Sequence, residues 1–275
     1  MNLVWATLIV VASASVAIAV MLFVRRTAPD GSHFHDGDRA SGVFGVLATG
    51  FSVLLGLVVV LAFTSFDASR SGAETEALTL SQQFETAQFM PPQVRGRLGG
   101  ELVCYGRSVV GEEWPRMESG TLGDAVNPWG VALFRTLKTV EPRTASEQTA
   151  YDKWLDQRTD REAARNARIH GAVGVIPTPM WIVLFVIAGL IFVFMLFFAD
   201  SSEPALVQAT LMGTVVAAVT SILLVIAFLD HPFGPGTGSL RPVAMQRTLR
   251  VLDQEQRLVG QPAPVPCDAK GAPTG

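Results

Sequence analysis

The sequence predicts an all-α membrane protein with four transmembrane helices, arranged as two pairs that flank a helical soluble segment. The 275 residues are 49% hydrophobic and only 16% charged, whereas charged residues make up about a quarter of a typical soluble domain. The apolar residues are concentrated in four uncharged blocks, at Leu3–Val24, Ala40–Phe66, Gly171–Ala199 and Ala205–Leu229. Each block exceeds the roughly 18 residues from which a membrane-spanning helix is predicted.

The four blocks divide the chain into five segments. We expect a first transmembrane helix pair at 1–66, a helical soluble domain at 67–175, a second transmembrane helix pair at 176–229, a C-terminal amphipathic helix at 230–259 and a disordered tail at 260–275. The tail is expected to be disordered because it consists largely of proline, glycine and alanine and has little apolar surface to bury.

The soluble segment has the sequence signals of helices. The second membrane helix is expected to end at Asp67, and a separate helix follows at 74–90 until two prolines stop it. Asn127 followed by proline is typical of a helix start, and Thr144 with Glu147 fits a capping box. Apolar and polar residues nowhere alternate with a period of two in this segment, so a sheet is not predicted.

One face of the second membrane helix carries the main functional hypothesis. Residues taken at alternating steps of three and four share one side of a helix. Here that side is small and hydroxyl-bearing at first, and bulky and apolar later. Its candidate pore-lining residues are Gly45, Thr49, Ser52, Gly56, Val59, Phe63 and Phe66. Small residues let membrane helices approach closely, which makes a packing seam one interpretation. The other is a pore-lining face with an apolar constriction at Val59 and Phe63.

The four spans contain no Asp, Glu, Lys, Arg or His. Pumps, voltage sensors and proton-coupled transporters place ionisable groups at membrane depth, so these classes are disfavoured, whereas a passive pore is compatible. The sequence also has no nucleophile motif, phosphate-binding loop or metal-ligand spacing, so we predict no enzyme, no catalytic residue and no cofactor. A net charge of −3 argues against a nucleic-acid partner.

Two further groups of residues could suggest a metal or a disulfide. Two His and two Asp lie within residues 33–39. No helix holds these His side chains on one face, so we expect a solvated loop rather than a metal site. Cys104 and Cys267 do not form a disulfide framework or a metal site, and they are interpreted as two unrelated thiols.

A basic stripe precedes the third span. Arg158, Arg161, Arg165 and Arg168 share one face of a predicted helix. A solvated face balanced by neighbouring acidic residues is one interpretation. Because the stripe lies close in sequence to a membrane span, contact with anionic lipid is the other, and we predict a lipid-facing basic stripe.

The same arginines bear on the orientation of the chain. Four spans place both termini and the soluble segment on one side of the membrane. That side carries the basic stripe, whereas the opposite side carries Arg25, Arg26 and Arg39. The positive-inside rule therefore predicts that the soluble segment and both termini are cytoplasmic. The arginine pair directly after the first span argues the reverse.

A series of short motifs gives the chain its family resemblance. The motifs are Arg25-Arg26, the glycine-rich second helix leading into Asp67 and Arg70, Glu74–Ala77, Tyr105, Glu113-Trp114-Pro115 and Leu229–Phe233. Their order and spacing resemble the bacterial bestrophin-like family of four-helix membrane proteins, which is similar in layout to the bestrophin channels. Those channels are pentamers lined by their second membrane helix. The calcium-binding acidic cluster of animal bestrophins has no visible counterpart here.

Two functional hypotheses follow. The resemblance implies an oligomeric ion channel, a pentamer, in the plasma (inner) membrane of a bacterium, with the lipid bilayer, other copies of the chain and inorganic ions as partners. A four-helix chain cannot enclose a wet pore alone, so this hypothesis requires an oligomer. The alternative is a non-conducting membrane scaffold or sensor that binds a partner through its soluble helices, and it predicts a monomer or dimer.

Overall fold

The computed structural model describes residues 2–30, 33–34, 36–122, 125–259 and 265–274. The α-helices in these ranges are α1 (Leu3–Arg25), α2 (Gly37–Ala87), α3 (Pro92–Ser108), α4 (Trp114–Glu118), α5 (Pro128–Leu137), α6 (Ala145–His170), α7 (Thr178–Phe197), α8 (Ala205–Asp230) and α9 (Val243–Val259). A π-helical turn at Val109–Glu113 joins α3 to α4, and a 3₁₀ turn at Gly171–Val173 follows α6. Among the residues described, no strand is present, so the predicted all-α fold class is confirmed. Four helices, α1, α2, α7 and α8, are long and apolar enough to span a membrane.

The chain forms two compact units. The membrane unit comprises Met1–Ser65, Gly174–Asp230 and Pro235–Gly238. The soluble unit comprises Phe66–Val173, His231–Gly234 and Ser239–Gly275. Helix α2 begins in the first unit and ends in the second.

Helix α2 is uninterrupted from Gly37 to Ala87. The predicted end at Asp67 is therefore wrong. The sequence turns polar there, but it contains no proline, and a helix satisfies its backbone hydrogen bonds internally in lipid and in water alike. The predicted stop at the two prolines is confirmed, because α2 ends just before them and α3 begins at Pro92.

Within the membrane unit, the first span packs along the last. The Ser13 hydroxyl of α1 donates a hydrogen bond to Thr220 Oγ1 of α8 at 3.2 Å. A Cβ atom on Gly213 would lie 2.7 Å from Ile18 Cδ1, so the glycine leaves room for that side chain. At the end of α8, the carboxylate of Asp230 accepts hydrogen bonds from the backbone N–H groups of residues 175 and 176 at 2.7 and 2.9 Å. These bonds satisfy backbone donors in the segment that leads into α7.

The soluble unit has one apolar core, to which α2, α3, α5, α6 and α9 contribute. Its fully buried members include Leu80, Leu102, Leu133, Trp154 and Leu252. The helices begin where the sequence predicts. The Asn127 side chain accepts from the N–H groups of residues 129 and 130, and Thr144 with Glu147 forms the predicted capping box.

The two cysteines are bonded to each other. Cys104 of α3 and Cys267 of the tail form a disulfide, with their Cα atoms 5.7 Å apart. The interpretation as unrelated thiols is therefore wrong, because a separation of 163 residues gives no local sign of the pairing. The predicted disorder of the tail is also wrong for residues 265–274, which the disulfide and several hydrogen bonds hold. Residues 260–264 and 275 lie outside the described residues.

Candidate pore-lining helix

The apolar half of α2 has three distinct faces. The first is buried against the chain itself. Phe51, Leu55 and Val58 pack in one core cluster with Leu184 and Ile191 of α7, and α8 completes the cluster. These positions recur at helical spacing, as expected for one packed stripe.

The second face carries the candidate pore-lining residues, and its small members are open. The side chains of Thr49 and Ser52 are exposed. A Cβ atom built on Gly45 or Gly56 would meet no described atom of a neighbouring element within 4 Å. At about 100° per residue, this face lies roughly a third of a turn from the buried one. Its small residues are therefore not a packing seam with the other described helices of the same protomer.

The bulky members of the candidate face differ in burial. Phe63 is 57% exposed. Val59 is half-buried and packs against the edge of the membrane-unit core. Phe66, which belongs to the soluble unit, is also half-buried. Of these three bulky side chains, Phe63 is thus the most exposed and the most accessible to a partner outside the protomer.

The third face is aliphatic. It includes Val46, Val53 and Val60, which are 77%, 69% and 61% exposed. It has the composition expected of a surface in contact with acyl chains, and it lies apart from the hydroxyl-bearing face. The hydroxyl of Ser52 donates to the carbonyl of Ala48 at 2.9 Å, so this donor is satisfied within its own helix.

The four arginines of the basic stripe are elsewhere. Arg161 and Arg168 are fully buried in the soluble unit, and Arg165 is 8% exposed. The prediction of a lipid-facing stripe is therefore wrong for these three residues. Arg158 is half-buried, with its guanidinium 4.5 Å from the ring centroid of Phe134. The physical reason is that each buried cation has carboxylate, amide or aromatic partners inside the unit, which offset the cost of leaving water.

Arg168 is the centre of this buried network. Its Nε and Nη2 donate to the two carboxylate oxygens of Glu76 of α2 at 2.5 and 3.0 Å. Nη2 also reaches Glu113 of the π-helical turn at 2.6 Å. Arg165 binds the other oxygen of Glu113 at 2.9 Å, and Tyr105 donates to Glu76 at 2.6 Å. Two carboxylates thus meet two guanidinium groups, so the charges of these four side chains balance.

The pKa shifts follow from this arrangement. Burial alone would raise the pKa of Glu113, but attraction to Arg168 and Arg165 lowers it below its ordinary value. Burial alone would lower the pKa of Arg168, but its pair with Glu76 raises it, so the guanidinium stays charged. Burial, with the nearby carboxylate of Glu76, raises the pKa of the Tyr105 hydroxyl well above its ordinary value. These shifts favour an ionised Glu113, a charged Arg168 and a neutral Tyr105.

The sequence did not indicate Glu76 and Glu113 as partners of the basic stripe. One signal was available, since Trp154, Arg161, Arg165 and Arg168 recur at steps of three, four and seven along α6. An arginine that shares its face with a buried tryptophan faces the core.

Among the described residues, no group of three or more His, Cys, Asp or Glu side chains could hold a metal ion. His35 of the predicted solvated loop lies outside the described residues.

These observations define an integral membrane protein of four helical spans, with one unpacked small-residue face on a long helix. Comparison with known proteins identifies its family. The bestrophin-like domain matches residues 10–245, which is most of the chain. The chain therefore belongs to the bestrophin-like family, as the motifs predicted.

Solved structures agree on the fold. Three crystal structures of variants of a bacterial bestrophin homologue from Klebsiella pneumoniae are similar to this chain, at 14–16% sequence identity and TM-scores of 0.65 to 0.67. The match covers 94% of this chain and 99% of each of those chains. No curated protein matches the chain. Identity this low shows a shared fold, while function has to be argued from the site.

Proposed function

We propose that this protein is an oligomeric ion channel in which the small-residue face of α2 lines a central pore. The observation that carries the proposal is the open space beside Gly45 and Gly56, because no described part of the chain covers this face. The family resemblance supports a pentamer, in which each protomer would contribute one α2 to the pore. The same resemblance supports a plasma membrane location.

The composition of α2 fits a passive pore. Glycine and hydroxyl residues leave room for a water-filled path in its first half, and Thr49 and Ser52 can contact a hydrated ion. Val59 and Phe63 then narrow the path with apolar side chains, which can gate conduction by expelling water. The aliphatic third face would remain toward lipid. Because the spans contain no ionisable residue, the path is passive rather than coupled to proton movement.

Single-channel recording from purified protein in planar bilayers tests this proposal. Phe63→Ala should raise the unit conductance, because it removes a large apolar side chain from the proposed constriction. Leu61→Ala is the matched control, since Leu61 lies two residues away on the same helix and is similarly exposed, at 50%. Leu61 belongs to a different face, so its variant should conduct like the wild type.

Two results would contradict the proposal. One is the absence of current from wild type and Phe63→Ala alike. The other is an equal rise in conductance in both variants, since it would show that the helix face is irrelevant. The oligomeric state, measured by light scattering in detergent, gives a second test, because a monomer or dimer without current would favour a membrane scaffold or sensor instead.

Two observations bear on which side of the membrane the soluble unit of the proposed channel faces, and they favour opposite sides. The arginine distribution over the whole chain favours a cytoplasmic soluble segment with cytoplasmic termini. The disulfide between Cys104 and Cys267 favours the opposite side.

A further inference from the structure

We infer that the soluble unit faces an oxidising compartment outside the cytoplasm, where the disulfide between Cys104 and Cys267 fastens residues 265–274 to α3. The bond joins a helix of the core to the chain terminus, across 163 residues of sequence. Cys104 is fully buried and Cys267 is 6% exposed. Disulfides persist in oxidising compartments and are rare in the cytosol. The bond therefore indicates the compartment in which the soluble unit folds.

The surroundings of the disulfide are built to receive the tail. Arg107 Nη1 donates to the backbone carbonyls of Cys267 and Asp268 at 3.3 and 3.2 Å. The buried indole of Trp129 donates to the carbonyl of Gly271 at 2.6 Å. These are contacts to main-chain oxygens, so they fix the path of the tail rather than one side chain.

The backbone of the tail packs closely against the backbone at the end of α3 and in the π-helical turn that follows it. Gly271 has a φ of 86°, and a Cβ atom there would lie 2.3 Å from the backbone nitrogen of Ser108. Gly111 would likewise bring a Cβ atom to 2.8 Å from the carbonyl oxygen of Lys270. Only glycine fits at such separations. The disulfide thus joins two segments, the tail and the end of α3 with the following π-helical turn, whose backbones pack closely against each other.

The cations of the short α1–α2 connection also favour a soluble unit outside the cytoplasm. The positive-inside rule applies to loops shorter than about 60 residues, because long domains are translocated largely regardless of charge. The soluble unit exceeds that length, and three of its arginines near α7 are buried in its core. The short connection between α1 and α2 holds Arg25 and Arg26, with Arg39 in the first turn of α2.

The other cations near the spans, among them Arg70, Arg241 and Arg247, belong to the soluble unit. The ranges of the membrane unit contain Lys or Arg only at positions 25, 26 and 39. When the positive-inside rule is applied to the membrane unit alone, it places the α1–α2 connection in the cytoplasm. Four spans then place the soluble unit and both termini on the opposite side. This reverses the prediction made from all arginines together.

Labelling of single cysteines in intact bacterial cells tests the orientation. Lys153→Cys adds a thiol to the exposed surface of α6, and Thr27→Cys adds one just after α1, both in the full chain with its disulfide retained. A membrane-impermeant maleimide should label Lys153→Cys in intact cells and Thr27→Cys only after permeabilisation. The reverse pattern would overturn the inference.

Trapping of free thiols tests the disulfide in the same cells. After acid quenching, a maleimide that adds mass should leave wild-type protein unmodified until it is reduced, and then add two tags. In a strain that lacks its periplasmic disulfide oxidase, the doubly tagged fraction before reduction should rise several-fold. Two tags in normal cells, or no change in the oxidase-deficient strain, would overturn the inference. Neither measurement depends on channel current, so it stands or falls separately from the proposed function.

Discussion

The two halves of α2 use glycine in opposite ways. In the membrane unit, Gly45 and Gly56 have open space where a Cβ atom would be. In the soluble unit, a Cβ atom on Gly72 would lie 2.7 Å from both the carbonyl oxygen of Ala164 and the backbone nitrogen of Arg168. The later glycine therefore allows α6 to approach the helix closely. The earlier ones serve no packing in the described protomer, which leaves their face for a partner outside it.

The halves also differ in how they treat charge. From residue 40 to residue 65 the membrane half contains no ionisable residue, whereas the soluble half pairs Glu76 with Arg168, and both side chains are fully buried. Packing and charge pairing within one chain thus hold the buried face of the soluble half. The membrane half is defined within one chain on only one of its three faces. Substitutions in the two halves should therefore affect different properties.

The largest effect is expected from Arg168→Met. It leaves the buried carboxylate of Glu76 without its main partner, and breaking a buried pair in this way costs about 3–5 kcal/mol. The free energy of unfolding of the soluble unit, measured by denaturant titration of the purified protein, should fall by this amount. The control is Arg257→Met, which removes an exposed pair with Asp253 and should change the free energy by less than about 1 kcal/mol. Equal effects of both variants would contradict the buried network.

The next effect separates the glycines directly. Gly72→Ala forces a methyl group against the backbone of α6, and overpacking of this kind costs about 1–3 kcal/mol. Gly56→Ala adds a methyl group to open space and should cost no stability, because alanine is a better helix former than glycine. Thermal melting in one detergent compares the two variants with wild type. A loss of stability in Gly56→Ala alone would show that the membrane half is the packed one.

The smallest effect is the pH dependence of the soluble half. The pKa of Glu113 is lowered in the folded state, so its contribution to stability is present above its ordinary pKa of about 4.3 and is lost as the pH falls through the folded value. The free energy of unfolding should therefore decrease below about pH 4.3. Glu113→Gln should make this decrease shallower, since the amide does not titrate. An unchanged pH profile in the variant would contradict the role of Glu113.

The features predicted correctly from the sequence are local ones. A span requires only a long uncharged run, and the start of α6 requires only Thr144 and Glu147. The openness of Gly45 and Gly56 depends instead on how α2 meets α7 and α8. The helical periodicity identified this face, but it did not show which elements lie next to it. For that reason the packing seam and the pore-lining face could not be distinguished before the fold was known.

The features predicted incorrectly depend on contacts between distant segments. Arg168 is separated from Glu76 by 92 residues, and Cys104 from Cys267 by 163. Each member of these pairs fits a solvent-exposed role when considered alone. Composition also misled at the tail, because the proline- and glycine-rich sequence of 265–274 buries little surface and is held instead by a covalent bond and backbone hydrogen bonds.

The packing of α1 on α8 has a consequence for biosynthesis. Ser13 and its partner Thr220 are 207 residues apart, and at about 5–20 residues per second a ribosome needs roughly 10–40 s to cover that distance. For most of this interval the newly inserted first helix lacks the residues of α7 and α8 that pack with Ala17 and Met21 in one core cluster. A nascent chain that stalls before α8 would therefore display an orphan helix, which insertion chaperones and membrane proteases can recognise.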